Sequence, residues 1–233
     1  MEIEVRDFTI IVGLLLTGYL CGAIPFGLIV GLLKGVDIRT QGSRNIGATN
    51  VGRVIGRPFG LLVFALDLLK GFLPTIFAGW VFQRLNVSSA GPEANWQVNL
   101  YWVLTGSACI LGHIFPVYLK FKGGKGVATS LGVLLGIYPY FTWPGLIAFG
   151  LWAVVLLASR YVSLASVTAA IGFPIIFACM AYLKGESWGP AGQLWPLYVF
   201  GIVLALLVVY RHRSNIQRLV SGVEAKIGSS GGR

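Results

Sequence analysis

Between Val127 and Ser159 the chain runs for 33 residues without a charged side chain. Phe8 to Leu33 is likewise free of charge. A helix needs about 20 apolar residues to cross a bilayer, and a chain with several such runs has few soluble folds open to it. Composition agrees. Hydrophobic residues make up 56% and charged residues 11%, against roughly 25% charge in a soluble domain. Mean hydropathy is +0.79. Disorder, collagen and a disulfide scaffold are excluded by the same numbers. The 32 glycines suit membrane helices that pack closely. The expected fold is therefore all-α, a polytopic integral membrane helix bundle.

The apolar runs give a count of seven. Phe8–Leu33, Phe59–Phe82 and Val98–Leu119 are the first three. Residues 127–159, at about 1.5 Å per residue, would reach roughly 50 Å as one helix, well beyond a hydrocarbon core of about 30 Å. Pro139 and Pro144 interrupt the run, with Tyr138, Tyr140, Phe141 and Trp143 around them. Proline breaks helices, and Tyr and Trp gather at membrane interfaces. Two helices are predicted, near 127–138 and 144–159. Tyr161–Leu183 and about 194–210 complete the set. The first run is too long for a signal-peptide core and lacks a small-residue cleavage pattern, so it is kept as a membrane helix.

Charge tests the count. The net charge is +10. With seven helices and the N-terminus outside, the inside segments hold 14 of the 18 basic residues. Arg6, Arg84 and Lys184 stay outside, and Lys70 lies within a helix. Glu2, Glu4, Asp7, Glu93 and Glu186 also fall outside. This is the positive-inside pattern, with the C-terminus cytoplasmic. It explains the basic balance by topology, so no nucleic-acid partner is expected. Cys21, Cys109 and Cys179 all fall in apolar stretches and read as small packing residues. Residues 1–228 form a single membrane-embedded domain. Residues 229–233, Ser-Ser-Gly-Gly-Arg, read as a loose or appended tail, and Asn86-Val87-Ser88 matches a glycosylation sequon that is frequent by chance.

Three inside segments are rich in glycine and polar groups. The first is Gly42-Ser43-Arg44-Asn45-Ile46-Gly47-Ala48-Thr49-Asn50, with Arg53 behind it. The second is Phe121-Lys122-Gly123-Gly124-Lys125-Gly126-Val127-Ala128-Thr129. The third is His212-Arg213-Ser214-Asn215-Ile216-Gln217-Arg218-Leu219, followed by Gly222 and Glu224. Glycine lets backbone N–H groups approach an anion, and Lys or Arg supplies charge, as a phosphate site requires. The second segment is the sharpest, because a helix N-terminus follows at once. It is not a Walker A loop. Each segment has a blander reading. Ser43 can cap a helix and Asn45 and Asn50 can make turns. The second can be a basic loop touching anionic lipid, and the third an amphipathic tail on the membrane. Parity, however, puts all three on one side.

These segments resemble the motifs of the bacterial acyl-phosphate:glycerol-3-phosphate acyltransferases of the PlsY type: GSGNIGATN with a trailing Arg, GH-x-x-P followed by FKGGKGVAT, and HR-x-NI-x-RL-x-x-G-x-E. The second also keeps Gly112-His113 and Pro116. The resemblance covers residues 20–224. One departure is Arg44, where the family usually has Gly, which puts the local backbone in question because Arg disfavours positive φ.

The resemblance implies transfer of a fatty acyl group from acyl phosphate to the 1-hydroxyl of glycerol 3-phosphate. Lysophosphatidic acid and phosphate would be the products, early in phospholipid synthesis. It implies no cofactor or metal, two small-molecule substrates, a monomer in the lipid bilayer, and a site facing the cytoplasm of the bacterial inner (plasma) membrane. Carried over by motif, Ser43, Asn45, Thr49, Asn50 and Arg53 would line the site. Lys122, Gly123, Gly124, Lys125, Gly126 and Thr129 would form a phosphate cradle, and His212 and Asn215 would complete it. Ser43, Arg53, Lys125, His212 and Asn215 are the expected catalytic set. Ser163 is expected to reach the same phosphate or to cap a helix. Glu224 is expected to be structural, pairing with an Arg. Asp67 and Lys70, three apart on one helix face, read as an intramembrane pair, and His113 as a packing residue.

Acyl phosphate is already activated, so direct transfer is expected, without a covalent intermediate. No H-x-x-x-x-D pair is present, since Tyr118 and Gln217 stand five residues after the two histidines. The base is either His212 or a substrate phosphate oxygen. An alternative from another class is an organophosphate or phosphate transporter, although such proteins bind near the midplane, often between inverted repeats, and none is visible. A synthase using a CDP-activated alcohol would need an aspartate cluster for metal, but Asp7, Asp37 and Asp67 lie on different segments.

Overall fold

The computed structural model describes residues 5–84 and 95–228. Glu2, Glu4, Glu93, the sequon at Asn86 and the tail 229–233 lie outside the described residues. Among the described residues the regular structure is helical: α1 (Val5–Ala23), α2 (Phe26–Leu33), α3 (Ala48–Val54), α4 (Arg57–Arg84), α5 (Asn95–Ile114), α6 (Val127–Gly136), α7 (Thr142–Ser159), α8 (Val162–Lys184), α9 (Trp195–Arg211) and α10 (Arg213–Val220). Short 3₁₀ turns follow α5 and α8.

The breaks have local causes. Pro25 lacks a backbone N–H and separates α1 from α2 within the first apolar run. Gly56, at φ 134°, separates α3 from α4. The long charge-free stretch divides as its prolines predict, with the break at 137–141 and α7 starting at Thr142. The run expected to reach Leu119 ends as helix at Ile114.

Among the described residues, five stretches are long and apolar enough to cross a membrane: Val5–Leu33, Arg57–Arg84, Trp96–Leu119, Thr142–Ser159 and Val162–Trp188. Trp195–Arg211 passes together with α10, to which it is bent by 58°. α6, the remaining member of the sequence count, has ten residues, about 15 Å of helix.

Glycine governs how these helices meet. Gly18 and Gly22 of α1 lie against Thr105 and Cys109 of α5. Gly132 of α6 lies against the backbone of Leu68 in α4, and Gly71 of α4 against that of Thr129. A Cβ at these places would crowd or overlap the neighbouring helix, so the helices approach at backbone distance, as small residues allow in membranes. The largest buried cluster centres on Phe141. Its ring lies 5.1 Å from Phe173, 4.9 Å from Phe177 and 5.7 Å from Phe200. Outward faces are apolar too. Leu157 is 81% exposed and Leu73 56% exposed, which suits a lipid solvent rather than water.

α6 and α7 form a hairpin whose outer ends return to one end of the bundle. Lys125, just before α6, bonds Asn215, and Ser163, just after α7, bonds Glu224, which itself bonds Asn215. Arg53, in the segment after α2, bonds the Ala225 carbonyl, so the segments after α2, α5 and α9 share that end with the 159–163 turn.

Candidate active site

The loop after α2 is organised by two asparagines. The buried Asn50 side chain donates to the carbonyls of Ile38 (3.0 Å) and Gln41 (3.2 Å) and accepts from the Ser43 N–H (2.8 Å). Asn45 accepts from the Gly47 N–H at 2.9 Å, the local turn that asparagine favours. Both asparagines thus shape the loop, while Ser43, Asn45, Thr49, Asn50 and Arg53 all border one cavity. Arg44 borders it as well and adopts φ 57°. The backbone there is left-handed, the conformation a glycine takes without cost, so Arg44 holds a turn that would suit the family's usual glycine and adds a cation at the cavity border.

The glycine–lysine segment is built differently from expectation. The Gly123 and Gly124 N–H groups are spent on the last carbonyls of α5, Ile114 (3.1 Å) and His113 (3.1 Å). A Cβ on Gly123 would overlap the His113 carbonyl, and one on Gly124 the His113 imidazole. Arg211 donates to the Gly124 carbonyl at 2.8 Å. The glycine pair is therefore a close-packing joint whose own amides are bonded to the end of α5. Lys122 is exposed and outside the cavity lining. Thr129 is fully buried and turned against Gly71 of α4. What faces the cavity is Lys125, Gly126 and the first turn of α6, Val127 and Ala128. Gly126, at φ 85°, swings the chain into that helix, whose first amides have no partner within it.

The third segment completes the enclosure. Lys125 donates to Asn215 Oδ1, and Asn215 Nδ2 donates to Glu224 Oε1 at 2.7 Å. Ser163 donates to the same oxygen at 2.7 Å, and Arg218 Nε to Oε2 at 2.7 Å. Burial alone would raise the Glu224 carboxyl, but these donors outweigh it and hold it below the usual range. Arg53 donates to the Ala225 carbonyl at 3.1 Å and Arg160 to that of Ile227 at 3.0 Å, so residues 223–228 strap across the cavity mouth. Burial pushes Lys125 down to about 8; Glu224 opposes this, and the cations of Arg218, Arg53 and Arg211 add to it. His212 is pushed to about 4, mainly by burial and then by Lys125. Its Nδ1 lies 2.8 Å from the Val208 carbonyl, which fixes the proton on Nδ1 and leaves Nε2 bare.

The cavity measures about 700 Å³. Two residues read from sequence as structural, Asp67 and His113, border its floor. Asp67 pairs with Lys70 at 2.8 Å, and Lys70 also donates to the Ile24 carbonyl at 2.8 Å. His113 Nδ1 lies 3.8 Å from Asp67. Sequence reasoning also missed Arg218 and Ser214 as lining residues. Their signal was available, since both stand within the third polar segment. The result is a cavity with cations from three distant segments, hydroxyl and amide donors, and a helix N-terminus. It can hold phosphate groups and neutralise charge that develops on oxygen.

The family model described as glycerol-3-phosphate acyltransferase matches residues 12–222, from α1 through α10. The chain belongs to the glycerol-3-phosphate acyltransferase family. It is 43% identical over 213 residues to the glycerol-3-phosphate acyltransferase of Aquifex aeolicus (strain VF5), covering 91% of this chain and 96% of that one. Among solved structures it is similar to PlsY (YgiH), an integral membrane glycerol 3-phosphate acyltransferase. The glycerol 3-phosphate form superposes with a TM-score of 0.76 and the lysophosphatidic acid form with 0.74. Both are 40% identical, covering 94% of this chain and 96% of theirs. All three polar segments lie within or at the edge of the family match, so the acyltransferase family and the cavity coincide on the same residues.

Proposed function

We propose that this chain transfers a fatty acyl group from acyl phosphate to the 1-hydroxyl of glycerol 3-phosphate, releasing lysophosphatidic acid and inorganic phosphate for phospholipid synthesis. The observation that carries the reading is the joining of Lys125 to Asn215, from motifs far apart in sequence, beside Ser163 and Glu224. The similarity to an acyltransferase solved with glycerol 3-phosphate supports the acceptor. Family membership favours a transferase over the transporter alternative.

In the reaction the acceptor hydroxyl oxygen forms a bond to the acyl carbonyl carbon, and the bond from that carbon to the phosphate oxygen breaks. Arg53, Lys125 and the first amides of α6 neutralise the departing phosphate, while Ser43, Thr49 and Asn215 orient the reactants. Such placement supplies catalysis without a covalent step. The hydroxyl proton passes to a substrate phosphate oxygen. A phosphate monoester titrates near pH 6, above His212 at about 4, which makes phosphate the stronger base. His212 then serves as a wall of the site, its ring held in one orientation by the Val208 carbonyl. The protein lies in the bacterial plasma membrane, crossing seven times with the N-terminus outside. The site opens to the cytoplasm, where 14 of 18 basic residues fall.

The test supplies purified protein with acyl phosphate and labelled glycerol 3-phosphate, without added metal. Labelled lysophosphatidic acid and stoichiometric phosphate are expected. His212→Gln should keep most of kcat. Binding or transport without product would overturn the transferase reading, and a collapse of kcat in His212→Gln with unchanged KM would return the base to histidine.

A further inference from the structure

A second, apolar groove opens from the polar cavity. Phe64, Val127, Trp152 and Ser166 border both, and Trp152 Nε1 donates to Ser166 Oγ at 3.2 Å. The groove then runs inward along α6, α7 and α8, with Leu204 and Val208 of α9 also lining it. It is bordered on α6 from Val127 to Leu134, on α7 from Trp152 back to Gly145, and on α8 from Ser166 to Phe173. Each pair is seven residues apart, or about 10 Å of helix. The near ends are tied by the Trp152–Ser166 bond. The far ends are tied too, because the site of a Gly145 Cβ lies 3.1 Å from Leu134 Cβ. At the inner end stands Phe173, 2% exposed, held edge-on by Phe141 at 5.1 Å. Phe141 is itself fully buried.

We infer that this groove measures the first part of the donor's acyl chain, with Phe173 as its stop. The inference rests on the acyl-phosphate reading above. The occupant follows from continuity: a phosphate held at Lys125 places the attached chain at the Val127–Trp152–Ser166 junction, and beyond that point the lining is almost wholly apolar. Carbon–carbon bonds of about 1.5 Å at tetrahedral angles advance about 1.25 Å each. About 10 Å therefore accepts about eight methylenes before the chain meets Phe173. Longer tails double back from the stop and leave past Phe149, the most exposed lining residue at 36%. Carbons up to the stop are gripped and later ones rest among lipid. Ala170 stands four residues inside Ser166 on α8, about 6 Å in, so a large side chain there would halve the usable length.

The experiment is internal competition among acyl phosphates from about 4 to about 18 carbons, read as relative kcat/KM for wild type, Ala170→Phe and Phe173→Ala. Each methylene within reach is worth about fourfold. Partitioning into the detergent is shared by all three proteins, so the readout is the change of profile against wild type. The wild-type preference should stop rising near ten carbons. In Ala170→Phe it should stop near five or six, with chains of ten or more losing at least tenfold against the shortest. In Phe173→Ala it should continue rising past the wild-type stop. Two variant profiles parallel to wild type would overturn the inference. If Ala170→Phe does not fold, Phe173→Ala decides it alone. Failure of the underlying reading looks different: wild type would then transfer from no acyl phosphate of any length.

Discussion

Lys125 carries the electrostatics of the cavity at the scale of one residue. Burial pushes its amine down to about 8, so it is a cation at neutral pH and loses its proton as pH rises through that value. Capture of a phosphate dianion should weaken there, and kcat/KM should fall above about pH 8. Lys125→Arg should abolish that alkaline limb, since a guanidinium stays charged past pH 12, with kcat reduced by the changed shape. A pH–rate profile of the two proteins checks this; an identical alkaline limb in both would assign it to another group. Stability runs the other way. The folded value lies below the ordinary 10.5, so between about pH 8 and 10.5 the unfolded chain holds a proton that the folded chain has lost, and this residue's contribution to stability grows with pH. Lys125, Asn215 and Ser163 were legible because a polar side chain beside an apolar run has few roles. The Asp67–Lys70 pair and the packing role of His113 were legible too, but the place of Asp67 and His113 at the cavity border was not. A charge inside a span reads alike whichever way its helix face turns, and only the packing of α4 on α5 brings Asp67 and His113 to the cavity border.

Among elements, the joint between the glycine pair and the end of α5 fixes where α6 starts. Gly124→Ala should push the His113 imidazole and the loop apart, costing about 1–3 kcal/mol as overpacking does and lowering kcat/KM with it. Gly150→Ala on α7 is the contrast. Nothing lies within 4 Å of its added Cβ, and alanine gains up to about 1 kcal/mol of helix propensity over glycine. Thermal midpoints and kcat/KM for both variants check the pair; equal effects would mean that the joint carries no weight. The sequence pattern showed that this segment matters, but two adjacent glycines look the same when they bare amides to an anion and when they let two chains touch. On the proposed reading the donors follow them, at the first turn of α6. The prolines at 139 and 144, by contrast, made the α6–α7 break legible, because a missing N–H acts locally and needs no partner.

For the whole molecule, convergence of the three loops makes a topological prediction. In a protein freed of Cys21, Cys109 and Cys179, single cysteines in place of Lys122 and Ser221 should react with an impermeant reagent from the cytoplasmic side. One in place of Lys184, at the far end of α8, should react from the other. Labelling of Lys122→Cys and Ser221→Cys from opposite sides would contradict the shared cavity. The helical architecture was readable from runs of apolar residues and from charge. Helix length was less so, because the boundary of α6 depends on the glycine joint before it and the hairpin turn after it. That length has a further consequence. The arms of the hairpin hold 10 and 18 residues, so α6 begins about 12 Å deeper than α7 ends. The polar cavity is thus set back along α7 and α8, reaching Trp152 and Ser166, where the apolar groove begins. On the acyl-phosphate reading, a lipid-borne donor need not be hauled out to meet a water-borne acceptor, and the cost of wetting its methylenes, about 0.8 kcal/mol apiece, never arises.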